Sequence, residues 1–115
     1  MTRKDSMYRN LDRLKELHGA KHFSFLPLTF ILPAEMIGLQ EAMTKFPDKA
    51  WIVKPASSSQ GKGIFLTQDI KQIPPKEQMV VSEYVAHPLL VDGYKFDLRV
   101  YVAITSINPL RVYIY

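Results

Sequence analysis

The chain has no cysteine, which excludes disulfides and thiolate metal sites as what holds it together. Histidine is scarce: His18, His22 and His87 are isolated and suggest no metal site on their own. No apolar run approaches the ~20 residues that a membrane-spanning helix needs, and no signal-peptide pattern opens the sequence. A soluble, intracellular protein with no membrane partner is expected. Acidic residues are outnumbered, 11 against 15 basic, for a net charge of +4 and a pI near 9.4. The basic residues are scattered, without the aromatic interleaving of RNA-binding sheets, so a solvated surface and no nucleic-acid partner are expected. An acidic protein segment stays compatible with that charge. Eight prolines and five glycines among 115 residues, with 47% hydrophobic content, describe a loop-punctuated α/β chain of one globular unit at most.

What is present centres on residues 51–67, WIVKPASSSQGKGIFLT. An apolar run, Trp51-Ile52-Val53, ends in Lys54-Pro55. A loop of small polar residues follows (Ser57, Ser58, Ser59, Gln60, Gly61, Lys62, Gly63), and then a second apolar run, Ile64-Phe65-Leu66. Two β-prone runs around a Ser/Gly loop predict a strand pair. Glycine at 61 and 63 lets the backbone approach a ligand closely, and Lys54 and Lys62 bring positive charge to the same place. This outlines a nucleotide-phosphate site. A P-loop is excluded because Gly61-Lys62 is followed by Gly63 and a strand-like run, not by Ser or Thr opening a helix. A Rossmann fingerprint also needs a helix after its glycines. A protein kinase carries its lysine after the glycine loop, whereas Lys54 precedes it. Read alone, the stretch also fits a glycine-rich hairpin that binds nothing.

Residues 5–17 place Met7, Leu11, Leu14 and His18 at helical spacing, with Tyr8 beside them, Asp5 or Ser6 as N-cap and Gly19 as the stop. Nothing in this amphipathic helix suggests chemistry. Residues 23–32, broken by Pro27, predict a short edge strand. Pro33 and Glu35 predict the start of a second helix, with Met36, Leu39, Met43 and Phe46 as its core stripe. A helical turn is expected over 69–73, a strand over 79–85, a turn at Asp92-Gly93 and a last strand over 110–115. Between the last two, residues 94–105 predict one long strand with Phe96, Leu98, Val100, Val102 and Ile104 on a core face. Its other face would carry Lys95, Asp97 and Arg99 ~6.5–7 Å apart, a row suited to a triphosphate and a ribose. A solvated strand face with alternating charges is the other reading.

Several stretches together resemble the tubulin tyrosine ligase-like enzymes of the ATP-grasp fold. They are Thr2-Arg3-Lys4-Asp5, Leu32-Pro33-Ala34-Glu35, Ile52-Val53-Lys54-Pro55, Ser59-Gln60-Gly61-Lys62-Gly63-Ile64 and Lys95-Phe96-Asp97-Leu98-Arg99-Val100-Tyr101. Their order and spacing match over nearly the whole chain, and the branch looks closer to the glutamate-adding ligases than to the tyrosine-adding founder. The resemblance implies an α/β (α+β) fold: a partial ATP-grasp module with a mixed or antiparallel sheet and flanking helices. Residues 1–115 would form one incomplete domain, with 1–81 in the central subdomain and 82–115 opening the C-terminal one.

The resemblance also implies a reaction. ATP phosphorylates a protein carboxylate, and the acyl phosphate is attacked by the amine of an amino acid, here glutamate, with magnesium bridging the phosphates. Lys54 would contact the phosphates, Gln60, Gly61, Lys62 and Gly63 would belong to the loop over them, and Ser82, Glu83, Tyr84 and Val85 would form the adenine-facing hinge. Lys95 would meet the nucleotide, Asp97 the ribose, and Arg99 the transferred phosphoryl group. Acidic tubulin tails and free glutamate would be the partners, in a cytoplasmic, microtubule-associated setting that includes cilia and basal bodies. Ser82 departs from the glutamine many relatives carry. The family's magnesium carboxylates and amino-acid arginine are expected beyond Tyr115. The chain would thus be cut at both ends, and a truncated, non-catalytic remnant or interaction piece is the alternative reading. Donor, acceptor, and initiation versus elongation lie outside what these residues determine.

Overall fold

The computed structural model describes residues 3–57 and 62–115. Its centre is a four-stranded antiparallel sheet of order β1-β4-β2-β3, built from β1 (Thr29–Ile31), β2 (Trp51–Pro55), β3 (Phe65–Thr67) and β4 (Met79–Glu83). Two hairpins follow: β5 (Leu90–Val91) with β6 (Tyr94–Lys95), and β7 (Val102–Ile107) with β8 (Leu110–Ile114). With helices α1 (Lys4–His18) and α2 (Met36–Lys45), the chain is a mixed α+β structure of antiparallel sheets, as a partial ATP-grasp module is.

The period-two alternation of β2 separates the two faces of the sheet. Trp51 and Val53, both fully buried, point with Val81 and Met79 into a core closed by Leu39, Ala42 and Met43 of α2, by Leu32 and by Ile73. Removing side chains of this size from water contributes about 1.5–3 kcal/mol each. The Phe30 and Trp51 rings pack with centroids 5.8 Å apart. On the other face, register pairs Thr29 with Ser82, Ser82 with Ile52, and Lys54 with Val80. Lys54 therefore shares a face with Ser82, away from the core.

The expected elements occur in order, with four corrections. First, α1 is N-capped by Arg3 without a side-chain hydrogen bond, because Asp5 is held instead by the Arg3 guanidinium, at 3.0 Å. That donor pair keeps the Asp5 carboxyl below its ordinary range. Second, the apolar stripe of α1 buries no residue; α1 meets the sheet through Lys4, which donates to the Pro55 carbonyl, and through Tyr8 at Ser82. Third, α2 starts at Met36, not at Pro33. Glu35 stands outside it as N-cap, and its carboxylate accepts the Ile31 N–H while its own N–H donates to the Ile31 carbonyl. Fourth, residues 94–105 are not one strand: β6 ends at Lys95, 96–101 have no regular structure, and β7 begins at Val102. Phe96, Leu98, Val100, Val102 and Ile104 are all exposed. Among the described residues β7 pairs with β8 alone, and this two-stranded ribbon leaves its alternating apolar residues uncovered.

Candidate functional site

The coreless face of the sheet opens into a cleft of about 310 Å³. It takes Ile52 and Lys54 from β2, Ser82 and Glu83 from β4, then Tyr84 and Val85, and Lys95 from β6. Tyr8 of α1, Pro27 and Pro88 complete the lining. Six residues expected from the sequence, Lys54, Ser82, Glu83, Tyr84, Val85 and Lys95, are therefore brought together.

Each arrives for a local reason. Lys54 is half-buried on β2, one residue before Pro55 pairs with Met79 at the end of the strand. Ser82 is 2% exposed and hydrogen-bonds Thr29 across the sheet, at 3.0 Å between the hydroxyl oxygens. Glu83 forms an ion pair with Lys49 at 2.8 Å. The chain then leaves the sheet, and the backbone N–H groups of Glu83 and Tyr84 donate to the carbonyls of Leu28 and Ala50, both at 2.8 Å. These two bonds fix the course of the hinge and use its first two donors. Among the described residues, the Val85 N–H donates to none. Lys95 comes back to the cleft through the β5–β6 hairpin, whose turn holds Asp92 and Gly93 at φ 52° and 80°. Asp-Gly is the dipeptide that accepts two such residues in a row. The Lys95 Nζ then sits 5.6 Å from the centroid of the Tyr84 ring.

The remaining expected residues stand elsewhere. Gln60 and Gly61 lie outside the described residues. Lys62 and Gly63 are exposed in the β2–β3 turn, outside the cleft lining. Gly63 has a structural duty there. Its φ is +72°, and a Cβ would stand 3.0 Å from Pro55 Cγ. Asp97 and Arg99 follow Lys95 in the irregular segment, exposed, and make no ion pair among the described residues. The row of three charges on one strand face is thus replaced by one lysine at the cleft and two ionic groups outside it.

Tyr8 is the residue that sequence reasoning missed. Its hydroxyl lies 3.4 Å from Ser82 Oγ, and it forms one wall of the cleft. Periodicity assigns it to the flank of an amphipathic helix; the one signal is an aromatic hydroxyl adjacent to the apolar stripe.

Chemically, the cleft offers two ammonium groups, the Tyr8 and Tyr84 rings, the buried Ser82 hydroxyl, the Glu83 carboxylate paired with Lys49, and apolar walls (Ile52, Val85, Pro88). This combination suits a ligand with a flat apolar part and an anionic part. Among the described residues no group of three His, Asp or Glu side chains could hold a metal ion.

Comparison with known proteins places the chain in a family. The profile of the tubulin-tyrosine ligase family matches residues 1–115, and the chain belongs to that family. Tubulin polyglutamylase TTLL5 of Homo sapiens is 46% identical over 116 residues, covering 100% of this chain and 9% of the relative. Tubulin polyglutamylase TTLL6 of Mus musculus is 46% identical over 113 residues, covering 98% of this chain and 14% of the relative. Tubulin monoglutamylase TTLL4 of Mus musculus is 42% identical over 113 residues, with 98% and 10% covered. The chain therefore spans 9 to 14% of the length of these relatives.

Proposed function

We propose that this chain is the nucleotide-holding part of an ATP-dependent carboxylate–amine ligase that adds glutamate to glutamate side chains of tubulin through an acyl phosphate. The observation that carries the reading is the single cleft that joins Lys54, Lys95 and the segment from Ser82 to Val85. The base lies against the hinge and the Tyr84 ring, and Lys54 and Lys95 meet the phosphates. Gln60, Gly61, Lys62 and Gly63 are assigned to phosphate binding, Asp97 to the ribose, and Arg99 to the phosphoryl group being transferred. Residues 1–81 serve the central subdomain and 82–115 the C-terminal one. Family membership and relatives named as tubulin glutamylases support the substrate class. The net charge of +4 suits acidic tubulin tails, and a microtubule setting follows from that partner. Magnesium would offset the triphosphate charge, but no set of described residues fits it.

The test is Lys95→Ala in the full-length protein. Loss of ATP-dependent glutamate incorporation, with thermal unfolding unchanged, is expected. Full incorporation by that variant would refute the assignment.

A further inference from the structure

Three hydroxyls run in a line beneath the cleft. Thr29 Oγ1 lies 2.9 Å from the Pro27 carbonyl oxygen and 3.0 Å from Ser82 Oγ, and Ser82 Oγ lies 3.4 Å from the Tyr8 hydroxyl. Each hydroxyl holds one proton, and a carbonyl only accepts. Three protons serve all three contacts in one order alone: Tyr8 donates to Ser82, Ser82 to Thr29, and Thr29 to Pro27. In that order the Tyr8 proton is turned inward, and its oxygen ends the line as an acceptor at the cleft. In the opposite order Ser82 donates to Tyr8, whose proton is then free for the cleft. That order takes the Thr29 proton away from the Pro27 carbonyl, a loss of about one hydrogen bond.

Two further observations give this line a task. The hinge N–H groups of Glu83 and Tyr84 are spent on Leu28 and Ala50, so they read no ligand. Moreover, α1 buries none of its residues, so core packing does not explain why Tyr8 meets Ser82.

The geometry points to Tyr8 as a base-selecting residue of the nucleotide site, anchored through Ser82 and Thr29 to the Pro27 carbonyl. As an acceptor it takes the exocyclic amino group of a 6-aminopurine and opposes the carbonyl of a 6-oxopurine. This inference rests on the nucleotide reading above.

The experiment is isothermal titration of the full-length protein with ATP and with inosine triphosphate, which differ in the group at the purine 6-position. The wild type should prefer ATP. Tyr8→Phe should reduce the ATP-to-ITP affinity ratio about three- to tenfold through weaker ATP binding, with the thermal midpoint unchanged. Thr29→Val keeps the Tyr8 hydroxyl but releases the line from Pro27, and it should lower the ratio as well. If Tyr8→Phe does not fold, Thr29→Val alone decides. A folded variant that keeps the wild-type ratio, or loses both nucleotides equally, overturns the inference and leaves the nucleotide reading intact. A wild type that binds neither nucleotide overturns both.

Discussion

The Lys95 ammonium stands 5.6 Å from the centroid of the Tyr84 ring, joining the β5–β6 hairpin to the hinge at the end of β4. Lys54 reaches the same cleft from β2 without an ion-pair partner among the described residues. A cation held this way adds little to stability and is available to an anion. Lys54→Ala should therefore weaken ATP binding about 10- to 100-fold, the worth of a charge-assisted hydrogen bond. The thermal midpoint should stay within 1–2 °C or so, as for a substitution outside the core. Titration calorimetry with a parallel melt checks both halves.

Gly63→Ala tests the β2–β3 turn. A left-handed φ of +72° costs a non-glycine residue about 1–2 kcal/mol, and the new methyl would press on Pro55 at 3.0 Å. Destabilisation of about 2 kcal/mol is expected in denaturant melts. A neutral result would mean that the turn relaxes freely.

Glu35 closes the free edge of the sheet at Ile31, accepting its N–H and donating to its carbonyl. Glu35→Ala exposes that N–H and should cost about 1–2 kcal/mol. Hydrogen exchange of the Ile31 amide should accelerate far more than that of Val81 in the neighbouring strand.

The Arg3–Asp5 pair predicts a mild acid sensitivity at the start of α1. Hydrogen bonding from Arg3 lowers the folded-state pKa of Asp5 below its unfolded value. Its contribution is therefore present above the ordinary carboxylate range and is lost as pH falls through the lowered folded value. Arg3→Met should raise the Asp5 titration, followed by NMR, toward the ordinary range, with the Ser6 and Asp5 backbone N–H groups still holding it down in part. An unchanged titration would disprove the pairing.

The β7–β8 ribbon leaves Val102, Ile104, Ile107, Leu110, Val112 and Ile114 exposed. Residues 1–115 expressed alone should therefore self-associate at micromolar concentration. Ile104→Lys with Ile114→Lys should shift sedimentation profiles toward monomer. Monomeric behaviour of the unsubstituted chain would contradict this.

Much of the fold is legible in the chain itself. Trp51-Ile52-Val53 and Met79-Val80-Val81 declare strands as short apolar runs rich in β-branched residues, and Gly19 and Asp92-Gly93 declare their turns. Lys54 is legible as a candidate because it adjoins the Ser/Gly loop, and Lys95 because it opens an alternating row of charges within a family motif. The failures share one cause. Residues 94–105 alternate as a strand should, but alternation states only which residues could share a face, not whether anything covers it. Here β6 ends at Lys95 and the ribbon stands uncovered. Glu35 reads as a first-turn helix residue because its reach to Ile31 depends on how the chain turns at Pro33.

By itself, the sequence determined the order of elements up to Lys95, the family, which ionic groups were candidates, and Met36, Leu39 and Met43 of the α2 stripe. These rest on local periodicity and on short motifs, which need no knowledge of distant neighbours. Phe46, by contrast, stands past the helix as its C-cap, and Ala42 takes a core place instead. Only the tertiary structure decided which candidates meet. Antiparallel register places Ser82 opposite Thr29 and Ile52, the β5–β6 turn swings Lys95 onto Tyr84, and α1 carries Tyr8 to Ser82 across 74 positions of sequence. Long-range pairing of this kind depends on register and packing angle, properties of two segments together that neither segment encodes alone.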